Sequence, residues 1–548
     1  MSRITVHRAR RVHTLDPNRP EATCVAVRDG RVLAVGSLDD VSGWGPHDLD
    51  ERHADRVLLP GLVEGHSHLM AGTMWQHAYC GWYDVPDPDG RIAGGARSLD
   101  AVIGTLRAHA QRLSDPAASV TGWGLDPIHF CARGVTRADL DAVSNTRPVG
   151  VLHGSGHILY ASSLALQQAG LLHTGIDHPG IPLGADGLPT GELKGPDAMM
   201  PLLPAFGIDR AFLGGNERGI RAFGRLAARA GVTTATDLGA TLADDELALV
   251  QRLTGEDDYP VRLVSVLRTL GLRPADAIDK AVALRTHSTE RLRLGAIKIV
   301  SDGSIQGFSA RLRWPGYYNG APNGLWYVAP ETVSALFRGG LQRGVQVHVH
   351  TNGDEAVEMV MQCLHDALLA CPAPDHRFTL QHCQLADAAQ FRRMRALGLC
   401  VNLFVNHVYY WGEAHRSRTV GPDRAERMNA CRTALECGVP FSIHSDAPIT
   451  PMRPLFTAWC AVNRLTAAGR VLGAHQRIGV ADALHAITLG AARTLKLDHE
   501  IGSIECGKRA DFCVLDDDPF LVAPERLSDV PVWGTVLGGR SFQALPAA

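Results

Sequence analysis

Hydrophobic positions recur along the chain in two rhythms, and the places where each occurs divide the molecule. Near the start, short alternating runs at 4–6, 12–15, 23–28 and 31–35 are separated by Asp16-Pro17-Asn18 and by Asp29-Gly30. A period of two with such punctuation predicts antiparallel strands, and Asp-Gly is a strong hairpin signal. The far end repeats the pattern, with apolar runs at 507–515 and 532–537 closed by Gly538-Gly539. Neither end is long enough to bury a core alone. The expectation is one small β-sandwich assembled from residues 1–57 and 493–548.

Between the ends, continuous apolar runs alternate with stretches of helical period. Parallel strands are predicted at 58–65, 232–237, 261–267, 295–301, 345–350, 378–381, 399–404 and 440–444, with helices such as 330–343 and 386–396 between them. Eight strand–helix units predict an α/β fold with a TIM-type (β/α)8 barrel, spanning 58–74 and 223–492. Roughly 160 residues separate the first two strands, where about 30 suffice for a barrel unit. Residues 75–222 are therefore expected to form an inserted subdomain, with a helix at 99–113 and a strand at 150–160.

Composition narrows the function. The chain has 548 residues, 45% hydrophobic and 20% charged, which is globular rather than disordered. Lys+Arg 54 against Asp+Glu 57 leaves a net charge of −3 with no basic stripe, so neither nucleic acid nor an anionic membrane is the expected partner. The N-terminus lacks the apolar core of a signal peptide, and no window approaches 18 uninterrupted apolar residues. A cytoplasmic protein is the expectation. The twelve cysteines, Cys131 among them, form no Cys-x-x-Cys pair, which points to reduced thiols rather than disulfides or a zinc knuckle.

In such a barrel the C-terminal strand ends share one mouth, where chemistry collects. The first predicted strand runs into His66-Ser67-His68, whose alternate residues share a face and can reach one metal ion. The fourth carries Lys298 inside an apolar run and continues to Asp302. An ammonium there needs either a carboxylate, such as Asp302 or Asp446, or conversion to an anionic carbamate that bridges two ions. The fifth ends at His350, the sixth at Gln381-His382 and the eighth at His444-Ser445-Asp446. One such residue among 25 histidines would mean little, but five of eight strands ending in ligand types is a pattern.

These segments resemble the amidohydrolase superfamily, and within it amidohydrolase family 3, the branch that includes N-substituted formamide deformylase. The matching stretches are 59–68, Ser155-Gly156-His157, 188–193, 298–304, 350–354, 381–384, Ser445-Asp446-Ala447-Pro448 and 502–515. Gln381 stands where the family has glutamate, and His444 where it often has glycine. The resemblance implies metal ligation by His66, His68, Lys298, His350, His382 and Asp446, with one or two divalent ions, zinc fitting best. It implies that Asp446 transfers the proton while metal-activated hydroxide attacks a carbonyl, and that His157 contacts substrate. His407, Tyr409, Tyr410 and Trp411, in a predicted loop after the seventh strand, are expected to wall the substrate.

The implied activity is hydrolysis of a non-peptide C–N bond in a small-molecule amide, N-acyl amine or N-formyl amine, by a protein expected to form a homodimer. A deaminase of this superfamily pairs the fifth-strand histidine with a glutamate three residues on, where this chain has Gly353, and lacks the strand-four lysine. The same metal centre would also serve a lactonase or a decarboxylase, and the same fold a non-catalytic scaffold, because a fold alone does not choose the bond.

Overall fold

A computed structural model describes residues 3–130 and 134–544, so Cys131 and the first two residues lie outside the described residues. Eight strands run parallel, in chain order, in one curled sheet: β1 (Leu62–Glu64), β2 (Val232–Ala240), β3 (Arg262–Arg268), β4 (Ile297–Val300), β5 (Val347–Thr351), β6 (Thr379–His382), β7 (Cys400–Leu403) and β8 (Phe441–Ile443). A short ninth strand, Leu292–Arg293, pairs with β3. Val347, Val349, Leu380, Val401 and Leu403 are fully buried, as expected of strands covered on both faces. The pairing runs from β1 to β8 without joining those two strands to each other, so the hydrogen bonds define a curled sheet and not a fully laddered barrel. Its two ends meet just beyond the strands. There the Asp446 amide donates to the His66 carbonyl at 3.1 Å and the His68 amide to the Ala447 carbonyl at 2.9 Å.

The two chain ends build one seven-stranded sheet in the order Arg540–Gln543, Val532–Leu537, Phe512–Leu515, His47–Pro60, Ile4–His13, Glu21–Arg28, Arg31–Gly36. Its pairings are continuous, whereas the expected sandwich requires two separate sheets. The Asp29-Gly30 hairpin is present, both residues at positive φ (53° and 72°), the geometry a two-residue turn between twisted strands requires. A buried Arg262–Asp511 ion pair fastens this sheet to β3, with Arg262 also donating to Thr234 Oγ1 at 3.1 Å.

The first barrel strand begins later than the sequence predicts. Residues 58–60 belong to the terminal sheet, paired with Phe512–Leu515, and the chain changes sheets at Gly61. A Cβ at Gly61 would lie 2.0 Å from Thr233 Oγ1, so only glycine lets the chain pass this close to β2. The other seven predicted strands overlap β2–β8, with ends shifted by a few residues.

The segment between β1 and β2 carries its own five-stranded sheet (Ala78–Tyr79, Val120–Leu125, Val149–His153, Ile158–Ala161, Glu192–Lys194) and the helix Leu99–Arg112. The strand expected at 150–160 is instead an antiparallel hairpin, Val149–His153 with Ile158–Ala161. Gly154, Ser155 and Gly156 (φ 72°) make its turn, and this turn delivers His157 to the mouth of the curled sheet.

Candidate metal centre

The site is assembled from strand ends, and its hydrogen bonds settle which nitrogen of His66 and of His350 carries the proton. His66, fully buried, lies 2.8 Å through Nδ1 from Gln381 Oε1. An amide oxygen only accepts, so Nδ1 carries the proton and Nε2 presents a lone pair. Gln381 is itself oriented: its oxygen also accepts from Asn402 Nδ2 at 3.0 Å, and its amide lies 3.0 Å from His348 Nδ1. His350 follows the same logic. Its Nδ1 lies 3.1 Å from Asp302 Oδ1, and Asp302 is immobilised by the backbone amides of Asn352 (3.0 Å), Gly353 (2.9 Å) and Arg311 (3.1 Å). A carboxylate or amide behind a histidine, fixing its tautomer, is the usual support for a metal ligand.

Around His66 Nε2 the other groups converge. Lys298 Nζ is 3.4 Å away and Asp446 Oδ1 3.4 Å away, while His68 Nε2 is 3.3 Å from the same carboxylate oxygen. His382 Nδ1 is 3.1 Å from His444 Nε2 and 3.8 Å from Asp446 Oδ2. His382 and Asp446 both hold positive φ, 73° and 55°, a conformation that residues other than glycine seldom adopt and that recurs at functional sites. Among the described residues, two sets of ligand atoms lie within 4.8 Å of one another: His66, His382 and His444, and His66, His68 and Asp446. His350 stands beside the first set, its ring centroid 4.5 Å from that of His382.

Burial controls protonation here. It holds His66 and His382 well below the ordinary histidine value and His444 near about 3, so these rings are neutral, as ligands must be. Lys298 is pulled down to about 7 by desolvation against the opposing pull of Asp446, and among the described residues it makes no ion pair; neither Asp302 nor Asp446 reaches it. For Asp446, burial works to raise the pKa, but the His68 hydrogen bond and the charges of His68, His444 and Lys298 prevail, and the carboxyl is held below its usual value. Among the described residues, Asp446 Oδ1 meets the ring nitrogens of His66 and His68 alone, and His444 Nδ1 is buried without a hydrogen-bond partner. Unshared imidazole nitrogens, a carboxylate oxygen and an unpaired amine are a donor set that fits a borderline divalent ion.

A cavity of ≈ 1200 Å³, open to solvent, gathers His66, His68, His157, Lys298, His350, His382 and Asp446 on one wall. His157 thus stands at the mouth, its ring 5.0 Å from that of His350, and burial keeps it well below the ordinary value. His407 lines a small polar pocket beside His350 and His382, and its Nδ1 lies 3.0 Å from His415 Nε2. The aromatic run is a helix, His407–Ala414, and not the expected loop: His407, Val408, Trp411 and Gly412 fall on one helical face and are buried. This spacing separates the aromatic residues. Tyr410 and Trp411 face a second cavity, whereas Tyr409 packs on Phe456 and Trp459 at 5.1 and 6.0 Å.

Two residues of the centre escaped the sequence reading as participants. In the sequence, His444 is legible as the end of the eighth strand and as a departure from the family pattern, but not as a ligand. Glu64, buried in β1, accepts from Ser445 Oγ at 2.7 Å, the Ser445 amide at 3.1 Å and the His66 amide at 3.4 Å, tying β1 to the segment after β8. Desolvation raises its carboxyl to about 8. A glutamate inside the apolar run Leu62-Val63-Glu64 was the available signal.

A curled parallel sheet with histidines, a lysine and an aspartate converging at its C-terminal strand ends is the architecture of the metal-dependent hydrolases. The chain belongs to the amidohydrolase family, whose sequence profile matches residues 54–542. Protein LONG AFTER FAR-RED 3 of Arabidopsis thaliana is 27% identical over 97% of this chain and 90% of its own length. N-substituted formamide deformylase of Arthrobacter pascens is 26% identical over 96% of both. Among solved structures, an uncharacterized metal-dependent hydrolase from Pyrococcus horikoshii matches with a TM-score of 0.71 at 19% identity, over 95% of this chain and 99% of that one. An atrazine chlorohydrolase mutant from Arthrobacter aurescens, complexed with zinc and atraton, matches with a TM-score of 0.52 at 15% identity over 98% and 94%.

Proposed function

We propose that this chain hydrolyses a C–N bond outside the peptide backbone, in an N-formyl or N-acyl amine. The observation that carries the reading is Asp446 Oδ1, an ionised acceptor placed between His66 Nε2 and His68 Nε2 at the strand ends. A relative matched over nearly its whole length is named for deformylation of substituted formamides, which supports the bond type. His66, His68, His350, His382, Asp446 and a carbamylated Lys298 would hold the metal, with His444 as a further ligand, and zinc suits the set. A bound divalent ion supplies Lewis acidity and acidifies a water molecule from about 15.7 toward 7.

The chain's own groups handle the rest. Asp446 takes the proton of the attacking water and returns it to the departing nitrogen as the C–N bond breaks, giving a carboxylic acid and an amine. The acid's proton then passes to the amine, leaving a carboxylate and an ammonium. Neutral His157, at the mouth, donates a hydrogen bond to the substrate carbonyl oxygen. Lys298, lowered to about 7, is substantially deprotonated near neutrality, so its amine can add to carbon dioxide with loss of a proton. The test is a panel of N-formyl, N-acyl and carbamoyl amines on zinc-loaded protein, scored by amine released. Asp446→Asn is expected to lower kcat by about 10²–10⁴-fold with metal content retained. Cleavage of esters or lactones alone, with no amine released from any member, would overturn the assignment.

A further inference from the structure

Beside the metal-facing cavity lies a second chamber of ≈ 950 Å³, open to solvent, bordered by the segment that follows β1, the helix His407–Ala414 and the turn after Asp446. Its surface is aromatic. Trp75 and Trp123 meet edge to face at 5.2 Å, Tyr83 and Tyr410 at 4.8 Å, and Trp82 stacks on His129 at 5.5 Å. Three polar tips of the lining are spent on the protein. Tyr79 Oη donates to the Tyr83 carbonyl at 2.8 Å, Tyr83 Oη to the Tyr410 carbonyl at 2.8 Å, and Trp411 Nε1 to Asp126 Oδ2 at 2.8 Å. Asp126, the carboxylate in the wall, is further engaged by His153 Nε2 at 3.2 Å and the Ile128 amide at 3.0 Å. What faces an occupant is mainly ring face and edge, and Trp123 Nε1 is one polar group buried there without an acceptor.

The chamber and the metal-facing cavity share a wall made of Met70, Leu152, Gly156, Pro448 and Ile449. Ile449 lies three residues past Asp446 and donates its amide to the Asp446 carbonyl at 2.7 Å. Gly156, at φ 72°, meets Ile449 in this wall, its ideal Cβ position lying 3.6 Å from Ile449 Cδ1, ordinary packing distance. The two spaces therefore adjoin, and a group seated among these rings packs against the segment that directly follows Asp446. We propose that this chamber binds the bulky apolar substituent of the substrate, an aryl group above all, and so selects which amides reach the centre. Offset and edge-on ring contacts reward an aromatic occupant beyond its buried area, and a chamber walled mainly by rings disfavours charged substituents through desolvation. The proposal rests on the hydrolytic reading above for the reaction, but not for the binding.

Two measurements on zinc-loaded protein separate those parts. 2-Naphthylmethanol, a neutral aryl probe with no hydrolysable bond, is titrated against tryptophan fluorescence. In parallel, kcat/KM is compared for N-(2-naphthylmethyl)formamide and N-methylformamide. The wild type is expected to bind the probe saturably and to favour the naphthyl substrate by about 10- to 100-fold. Trp82→Ala, which removes a wall, and Met452→Trp, which fills the space, should each weaken the probe and cut that preference by about 10-fold. The wild-type values alone test the idea if a variant fails to fold. Probe binding lost in both variants, with neither formamide cleaved, would leave the chamber standing and overturn the reaction. Cleavage with equal preference and no saturable probe binding would overturn the chamber alone.

Discussion

At the scale of single residues, the centre depends on groups that set direction as much as on those that face the cavity. Gln381 is the clearest case. Its oxygen accepts from His66 Nδ1 and from the Asn402 amide, and its own amide meets His348, so it is held from both ends while it aims one imidazole. Replacing it by leucine leaves His66 free to rotate or change tautomer. Supports of this kind are commonly worth about 10–100-fold in metal affinity, which is the loss expected for Gln381→Leu in a chelator competition. Gln381→Glu keeps the acceptor toward His66, and His348 can supply a proton from Nδ1, so its affinity should stay within a few-fold of wild type. Equal affinity in the leucine variant would remove Gln381 from this role. Residue types at the strand ends were readable from sequence because few other reasons place histidine, lysine and aspartate there. That His444 meets His382 at 3.1 Å was not, because β6 and β8 are neighbours of β7 rather than of each other.

Elements were legible where one periodicity dominated. The strands of the curled sheet are buried on both sides and read as apolar runs, so β2–β8 were found close to their places. The start of β1 was missed because residues 58–64 form one apolar run that two sheets divide between them. Gly61 makes that division, and it supplies a test. Gly61→Ala would force a methyl group against the Thr233 side chain, whose nearest atom is 2.0 Å from the ideal Cβ, and should destabilise the fold by about 1–3 kcal/mol in denaturant unfolding. Adding Thr233→Ala should recover part of that loss, because the two sites share one contact. An unchanged midpoint for the single variant would mean that the chain has another route between the sheets. The helix His407–Ala414 was missed for a related reason: its aromatic residues are apolar enough for several structures, and only packing against Phe456 and Trp459 decides among them.

For the whole molecule, buried neutral histidines far from the centre set the response to acid. His53, in the terminal sheet, and His77, between β1 and β2, are each held near about 4 by desolvation, against an ordinary value of about 6.5. A histidine whose folded value is depressed binds protons more readily when unfolded. Its stabilising contribution is therefore complete above pH 6.5 and is lost as pH falls from about 6.5 to about 4. His53 alone, fully buried, accounts for a loss on the order of 3 kcal/mol across that window. Urea midpoints at several pH values should fall accordingly, and His53→Gln should flatten part of the slope. A midpoint that stays level down to pH 4.5 would show that these rings remain solvated.

The sequence by itself determined the alternation of strands and helices, the pairing of the two chain ends and the chemical types at the strand ends. Each of those follows from local periodicity or from the cost of burying a polar group. The tertiary structure decided what depends on distance between remote segments. It placed Lys298 beside His66 without a carboxylate partner, brought His444 to His382, and turned the 154–157 hairpin so that His157 faces His350. It also formed the aromatic chamber, whose walls come from segments more than 300 residues apart and have no common signature in the chain. Local pattern fixes what each residue prefers, but only packing determines which preferences are satisfied together, and a metal centre is defined by that conjunction.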